Sequence, residues 1–211
     1  MLEQSVCIVM PVFNEGLIAR EFLRKIDENL SKQGIFNRAY ICVNDQSTDD
    51  TFDLLSELSQ NGFPIKVITN LKNVGHGVST LRALRLGLEC NTDFIVALDS
   101  DAQFDSFEIS QVCSEFLKSN FDLCECVRIN RSEPLYRKMV SFITKILLFA
   151  RIHQFVRDPN TPFRIYTREY LEIAIGHIPP NSPVPNLYMS HIARGLKKAI
   201  YTREVSFLPK V

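Results

Sequence analysis

The chain of 211 residues is predicted to fold as a single α/β domain, a mostly parallel sheet flanked by helices. Three observations carry that expectation. Four short apolar runs rich in β-formers recur through the first half: Val6 to Met10, Ala39 to Val43, Ile65 to Thr69 and Phe94 to Leu98. Most are apolar on both faces, as strands buried in a parallel sheet are. Stretches of helical spacing separate them, so strand and helix alternate three times, the pattern of right-handed crossovers with helices on the sheet faces. The composition is that of an ordinary globular protein, with 45% hydrophobic and 23% charged residues, 8 Gly and 10 Pro. It argues against a disordered, collagenous or coiled-coil chain.

The elements follow in order. The first helix carries Ile18, Phe22, Ile26 and Leu30, with Asn14 as its N-cap and a stop near Gly34. The second follows Ser47, has Asp49 and Asp50 in its first turn, and repeats Phe52, Leu55 and Leu58. The third carries Leu81, Leu84 and Leu88. A fourth helix, from about Ser106 to Ser119, precedes a strand from Asp122 to Val127. Beyond a basic stretch from Val127 to Lys138 lies an apolar run from Val140 to Val156, then DPNTPFRIYTREYL from Asp158. A proline-rich loop (Ile178 to Pro185), a helix near Leu187 to Leu196 and a last strand from Ala199 to Phe207 complete the chain. Without repeats or a long linker, residues 1–211 read as one domain, with a regular half to about Asp105 and a less regular half from about 106.

Lysine plus arginine and aspartate plus glutamate both number 24, so no whole-molecule field draws the chain to nucleic acid, and no nucleic-acid partner is expected. The six cysteines form no CxxC pair and no zinc-spaced cluster, and they read as reduced, mostly buried thiols. No charged leader precedes the first apolar run, which points to a cytoplasmic location. Lys145, Arg151 and His153 interrupt the run from Val140 to Val156, leaving it too short and too charged to span a bilayer. It reads either as a core helix or as an amphipathic helix lying on a membrane surface, a peripheral contact with Lys145 and Arg151 at the headgroups.

In an open parallel sheet, ligands sit outside the carboxyl ends of the strands. The segments at those ends are PVFNE, NDQSTDD, NLKNVGHG and DSDAQFD, all polar, acidic or glycine-bearing. The strongest signal is the last. Asp99 and Asp101, at i and i+2 in an extended segment, point the same way and can share one hard cation, with Gln103 as a further oxygen ligand. The alternative is a solvated acidic turn that caps the next helix. Pro11 and Val12 make a stiff apolar wall, and Glu15 can accept hydrogen bonds from a ribose or base. Asp45 leaves its strand as an unpaired carboxylate able to accept from a base N–H. Gly75 and Gly77 let backbone amides approach a phosphate, although GxxxxGK[ST] is absent, and His76 between them reads as a loop histidine rather than a catalyst. No GxGxxG follows the first strand, which argues against a dinucleotide oxidoreductase.

PVFNE, VNDQSTDDT, NVGHG and DSDAQ, in this order and at these intervals, resemble the nucleotide-sugar half of family 2 glycosyltransferases with the GT-A fold, from about Val6 to Asp105. Arg128, RKMVS (Arg137 to Ser141) and DPNTPFRIY (Asp158 to Tyr166) are similar to the polyprenyl-phosphate sugar synthases, the dolichyl-phosphate type. The resemblance implies a GDP- or UDP-hexose donor near Pro11, Val12, Asn14, Glu15, Asp45, Gly75, Gly77, Asp99 and Ser100. It implies Mg²⁺ or Mn²⁺ on Asp99, Asp101 and Gln103, with Asp45 touching the base. The lipid phosphate would fall on Arg128, Arg137 and Ser141, with Arg131 competing for the place of Arg128. Asp101, Asp158 and Arg164 are the implied catalytic residues, Asp158 serving as base if the acceptor is a hydroxyl. Two departures stand out: Asn44 replaces the family's first aspartate in VDDGS, and Gln46 replaces its glycine.

A phosphate acceptor is already anionic, so it needs cations to place it rather than a base to deprotonate it, and Arg128, Arg131, Arg137 and Lys138 suit that case. The expectation is therefore a metal-dependent, inverting transferase moving a hexose to a polyprenyl phosphate. A saccharide or other hydroxyl acceptor, and a non-catalytic nucleotide-sugar-binding module, are the alternatives.

Overall fold

The computed structural model describes residues 4–129 and 156–209. Its seven strands are β1 (Val6–Val12), β2 (Arg38–Asn44), β3 (Ile65–Thr69), β4 (Phe94–Ala97), β5 (Leu123–Ile129), β6 (Arg164–Thr167) and β7 (Ile200–Ser206). Six helices among the described residues are α1 (Gly16–Lys32), α2 (Thr51–Gln60), α3 (His76–Glu89), α4 (Ser106–Leu117), α5 (Arg168–Gly176) and α6 (Pro185–Gly195). The strands form one sheet in the order β3-β2-β1-β4-β6-β5-β7. β1 pairs in parallel with β2 and β4, β2 with β3, and β5 with β7. β6 runs antiparallel between β4 and β5. All strands but β6 therefore point the same way, and the segments after β1 to β4 meet at one edge with the segment that enters β6.

Strand alternation divides the core into two layers, one on each side of the sheet. Val6, Ile8, Met10 and Val12 face α1, α2 and α4, packing with Leu23, Ile26, Leu30, Leu55 and Phe116. Cys7 and Val9 face the other side with Leu81, Leu84, Tyr170 and Met189 of α3, α5 and α6. Such a three-layer arrangement is what doubly apolar strands require. Of the six free cysteines, five are buried and Cys90 is half-buried. Among the described residues no helix is long and apolar enough to cross a membrane.

Several elements differ from expectation. Asn14 does not cap α1: the cap position is Glu15, without a side-chain cap bond, and Asn14 sits outside at φ 52°. In α2 the buried positions are Thr51, Leu55 and Leu58, whereas Phe52 is turned outward. α3 starts at His76, so the second half of the glycine loop is its first turn. Asp105 caps α4, accepting from the Glu108 N–H at 2.9 Å. β6 has only four residues and opens with a fully buried arginine, so neither its length nor its polarity marks it as a strand in the sequence. The run Val140 to Val156, apart from Val156, lies outside the described residues.

Candidate active site

The carboxyl edge of the sheet holds a cavity of about 460 Å³, lined by Pro11, Val12, Phe13 and Glu15 after β1, Asp45 after β2, and Asn73, Gly75 and His76 after β3. Asp99, Ser100 and Asp101, after β4, close it. Of the predicted donor-site residues, Asn14, Gly77 and Gln103 are outside this lining.

Side-chain bonds between the loops hold the cavity open. Asp45, 3% exposed, is not the unpaired carboxylate expected. Its Oδ1 accepts from the Asn70 amide at 2.7 Å and the Val74 N–H at 2.9 Å, and its Oδ2 accepts from the Gly75 N–H at 2.8 Å. The reason is topological: β2 and β3 are neighbours, so a carboxylate ending one strand faces the orphan amides of the loop after the other. Burial by itself pushes the Asp45 carboxyl up, but these donors together with Ser79 more than offset it and hold it below the usual carboxylate range. The Asn73 amide donates to the Asp45 carbonyl at 3.1 Å, tightening the same clamp.

Gly75 and Gly77 each have a backbone or packing role of their own. Gly75 has φ 88° and ψ 157°, backbone that a Cβ would strain, and its N–H belongs to Asp45. A Cβ on Gly77 would lie 2.0 Å from the Pro183 carbonyl oxygen, so this glycine lets the proline-rich loop cross the start of α3.

The first two loops are stitched together by Asn14. Its Oδ1 accepts from the Thr48 N–H at 2.8 Å, and its own N–H donates to Ser47 Oγ at 3.0 Å. Gln46 takes the left-handed backbone, φ 60°, at the position where the family pattern has glycine. Asn44, the other departure, accepts from the Ser47 N–H at 3.0 Å and so rebuilds the turn with its amide.

Asp99 and Asp101 both reach the cavity, from a bend at Ser100 and Asp101 rather than from the extended segment expected. The Ser100 hydroxyl donates to Glu15 Oε2 at 2.6 Å, joining the loop after β4 to that after β1. His76 Nε2 lies 3.2 Å from Asp99 Oδ1. That contact raises the His76 imidazole above its ordinary range against the opposing effect of burial, with the charges of Asp101 and Glu15 adding to it. Asp101 accepts from the Gln103 N–H at 3.3 Å. The Gln103 amide is turned to the segment after β7, donating to the Leu208 carbonyl at 3.0 Å, so two of the three predicted metal ligands line the cavity.

On the acceptor side, Asp158 and Arg128 face each other. Arg128 Nε and Nη2 donate to the two Asp158 oxygens at 2.7 and 2.8 Å, a bidentate pair whose side chains are 8% and 9% exposed. The guanidinium also lies over the Phe207 ring, 5.2 Å from its centroid. Arg164 is fully buried. It donates to the carbonyls of Pro159 (3.1 Å) and Thr161 (3.2 Å) and to Ser190 Oγ (2.9 Å), which shapes the turn carrying Asp158 instead of presenting a free fork to phosphate. Glu125 is its counter-charge at 3.4 Å and also binds Arg194 through both oxygens. Arg131, Arg137, Lys138 and Ser141 lie outside the described residues.

The sequence reading missed Glu125, Ser190 and Arg194. A glutamate inside DLCECV, an otherwise apolar strand, is a signal for a buried cationic partner, but it does not name that partner. Asn70 and Asn73 were missed for the same reason, since their use depends on where Asp45 ends.

Asp99 and Asp101 are hard oxygen donors suited to Mg²⁺ or Mn²⁺. Among the described residues no group of three His, Cys, Asp or Glu converges on a metal position. Two carboxylates in one cavity suit a cation whose shell is completed by substrate phosphates.

The family model described as "Glycosyl transferase family 2" matches residues 7–173, spanning every loop of this cavity and the Asp158 turn. The chain belongs to glycosyltransferase family 2. A similar curated protein is the undecaprenyl-phosphate 4-deoxy-4-formamido-L-arabinose transferase of Salmonella choleraesuis (strain SC-B67), 28% identical over 173 residues, 80% of this chain and 50% of that protein. The protein of the same name from Klebsiella pneumoniae subsp. pneumoniae is 25% identical over 207 residues, 97% of this chain and 61% of that one. The chain thus spans half to three fifths of the length of these relatives. Among solved structures, a mannosyltransferase from Pyrobaculum calidifontis in complex with GDP-Man and Mn²⁺ superposes with TM-score 0.69 at 17% identity, over 100% of this chain and 58% of that one. Glucosyl-3-phosphoglycerate synthase from Mycobacterium tuberculosis superposes with TM-score 0.67 at 18% identity, over 99% and 72%. At these identities the likeness establishes a GT-A-like fold.

Proposed function

We propose that this glycosyltransferase moves a hexose from a nucleoside diphosphate sugar to a polyprenyl phosphate, with inversion and with a divalent cation, at the cytoplasmic face of a membrane. The observation that carries the reading is the pair Asp99 and Asp101 in one cavity beside the glycine loop clamped by Asp45. Asp99 and Asp101 would hold Mg²⁺ or Mn²⁺, which when bound neutralises charge growing on the departing diphosphate. Pro11, Val12 and Phe13 supply an apolar wall for the nucleoside, and the Asp45 clamp fixes the loop against which it lies. Ser100 and Glu15 keep the acidic segment in register with that wall. An acceptor oxygen attacks the anomeric carbon from the face opposite the diphosphate, so the new C–O bond forms as the old one breaks.

A phosphate acceptor is favoured over a hydroxyl because both oxygens of Asp158 accept from Arg128, which leaves this carboxylate poorly placed as a base. The names of the curated relatives support the same acceptor class. Phosphate positioning by Arg137 and Ser141, and by an Arg128 that opens from Asp158, belongs to this proposal.

Thermal shift with nucleoside diphosphates, with and without Mn²⁺, tests the donor side, because a ligand that binds only the folded state raises stability by mass action. A shift for UDP or GDP that needs Mn²⁺ and is lost in Asp101→Ala is expected. Transfer of labelled hexose to a polyprenyl phosphate then tests the acceptor. An Asp101→Ala variant with full turnover contradicts the reading.

A further inference from the structure

We propose that His76 competes with a divalent ion for Asp99: its Nε2 holds the Asp99 carboxylate until the ion arrives with the donor, and it then turns to the donor diphosphate. The inference rests on the metal-dependent reading above and assigns to it a positioning residue that controls when the ion binds.

The geometry is specific. His76 Nε2 is 3.2 Å from Asp99 Oδ1. A hard cation takes carboxylate oxygens at about 2.0–2.6 Å, so an ion approaching that oxygen from the same side needs the space the imidazole fills. The backbone under His76 cannot yield. The preceding Gly75 N–H is bound by Asp45 at 2.8 Å, and Gly77 after it is pressed under the Pro183 carbonyl. Release therefore comes from rotation of the side chain, which is 61% exposed. The cleft also has a reason to hold such a group. Glu15, Asp99 and Asp101 bring three carboxylates to one cavity, and an N–H donor among them offsets their mutual repulsion when no ion is present. Once turned from Asp99, the imidazole stays on the cavity wall at the first residue of α3, where a donor diphosphate would lie.

Competition of this kind lowers affinity for the bare ion by the fraction of molecules in which Asp99 is already taken. An exposed pair of this type corresponds to roughly two- to fivefold in a binding constant. In the full chain, Mn²⁺ alone is titrated and free Mn²⁺ read by electron paramagnetic resonance, for wild type, His76→Ala and His76→Gln. Affinity of His76→Ala for bare Mn²⁺ should rise roughly two- to fivefold. His76→Gln, which retains an N–H donor, should fall between that variant and wild type. With Mn²⁺ saturating, affinity for UDP or GDP should fall in His76→Ala by about fivefold or more, from the lost bond to an anionic oxygen. A merely structural histidine moves neither constant. Weaker Mn²⁺ binding in His76→Ala would make His76 a ligand and overturn the proposal, as would unchanged binding in both titrations. If wild type binds no Mn²⁺ even with saturating nucleotide, the metal reading itself fails; if it binds and only the His76 effects are absent, this inference alone fails.

Discussion

Glu125 is the residue whose removal should cost most per atom. It is 4% exposed on β5 and accepts from Ser190 Oγ at 2.6 Å and from Arg194 at 2.7 and 2.8 Å, with Arg164 Nη1 at 3.4 Å. Glu125→Leu leaves two buried guanidinium groups without a counter-charge. Removing one partner of a buried ion pair costs about 3–5 kcal/mol. Arg194, whose side chain is 9% exposed, has a path toward solvent, and Arg164 keeps Pro159, Thr161 and Ser190 as acceptors. The lower end, about 3 kcal/mol, is therefore expected, which in a domain of this size lowers the melting temperature by roughly 6–12 °C. Urea unfolding and calorimetry measure it. The double variant with Arg194→Leu should cost less than the sum of the single variants, since the second change removes a stranded charge. The pH dependence has a definite sign. Burial raises the Glu125 carboxyl, and the bonds and charges of Arg194, Arg164 and Ser190 more than reverse it, so the folded value lies below the ordinary one. Its contribution is complete above the unfolded value of about 4.3 and is lost as pH falls through the folded value. Glu125→Gln should show a shallower loss of stability in that acid range. A Glu125→Leu protein within about 1 kcal/mol of wild type would refute the reasoning, because no buried pair broken on one side should be that cheap.

Two smaller perturbations test the cleft. Gly77→Ala sets a Cβ 2.0 Å from the Pro183 carbonyl, so the 178–185 loop must shift; a loss of about 1–3 kcal/mol in urea unfolding is expected, with faster proteolysis confined to that loop. Gln46→Gly relieves a left-handed side chain at φ 60° and should leave stability equal or higher by up to about 1 kcal/mol in the same assay, the entropy of the added glycine limiting the gain.

Much of the molecule is legible in one dimension. β1 to β4, α4 and the shared edge follow from apolar runs, helical spacing and the handedness of crossovers, which are local or nearly local properties. Asp99 and Asp101 could be placed at that edge because they directly follow a buried strand. α3 starts earlier than its leucines suggest because the Asp45 clamp and Gly75, rather than periodicity, set its first turn.

What the order of residues determined, then, is the layered architecture and the chemistry collected at one edge. Tertiary structure decided how each polar group is used. Asp45 became a clamp, Asn14 a stitch, Gly77 a crossing point and Arg164 a buried strut paired with a glutamate 39 positions away. The physical reason is that a buried donor or acceptor must find a partner, and its partner is whichever group the fold brings within about 3 Å, at any separation along the chain.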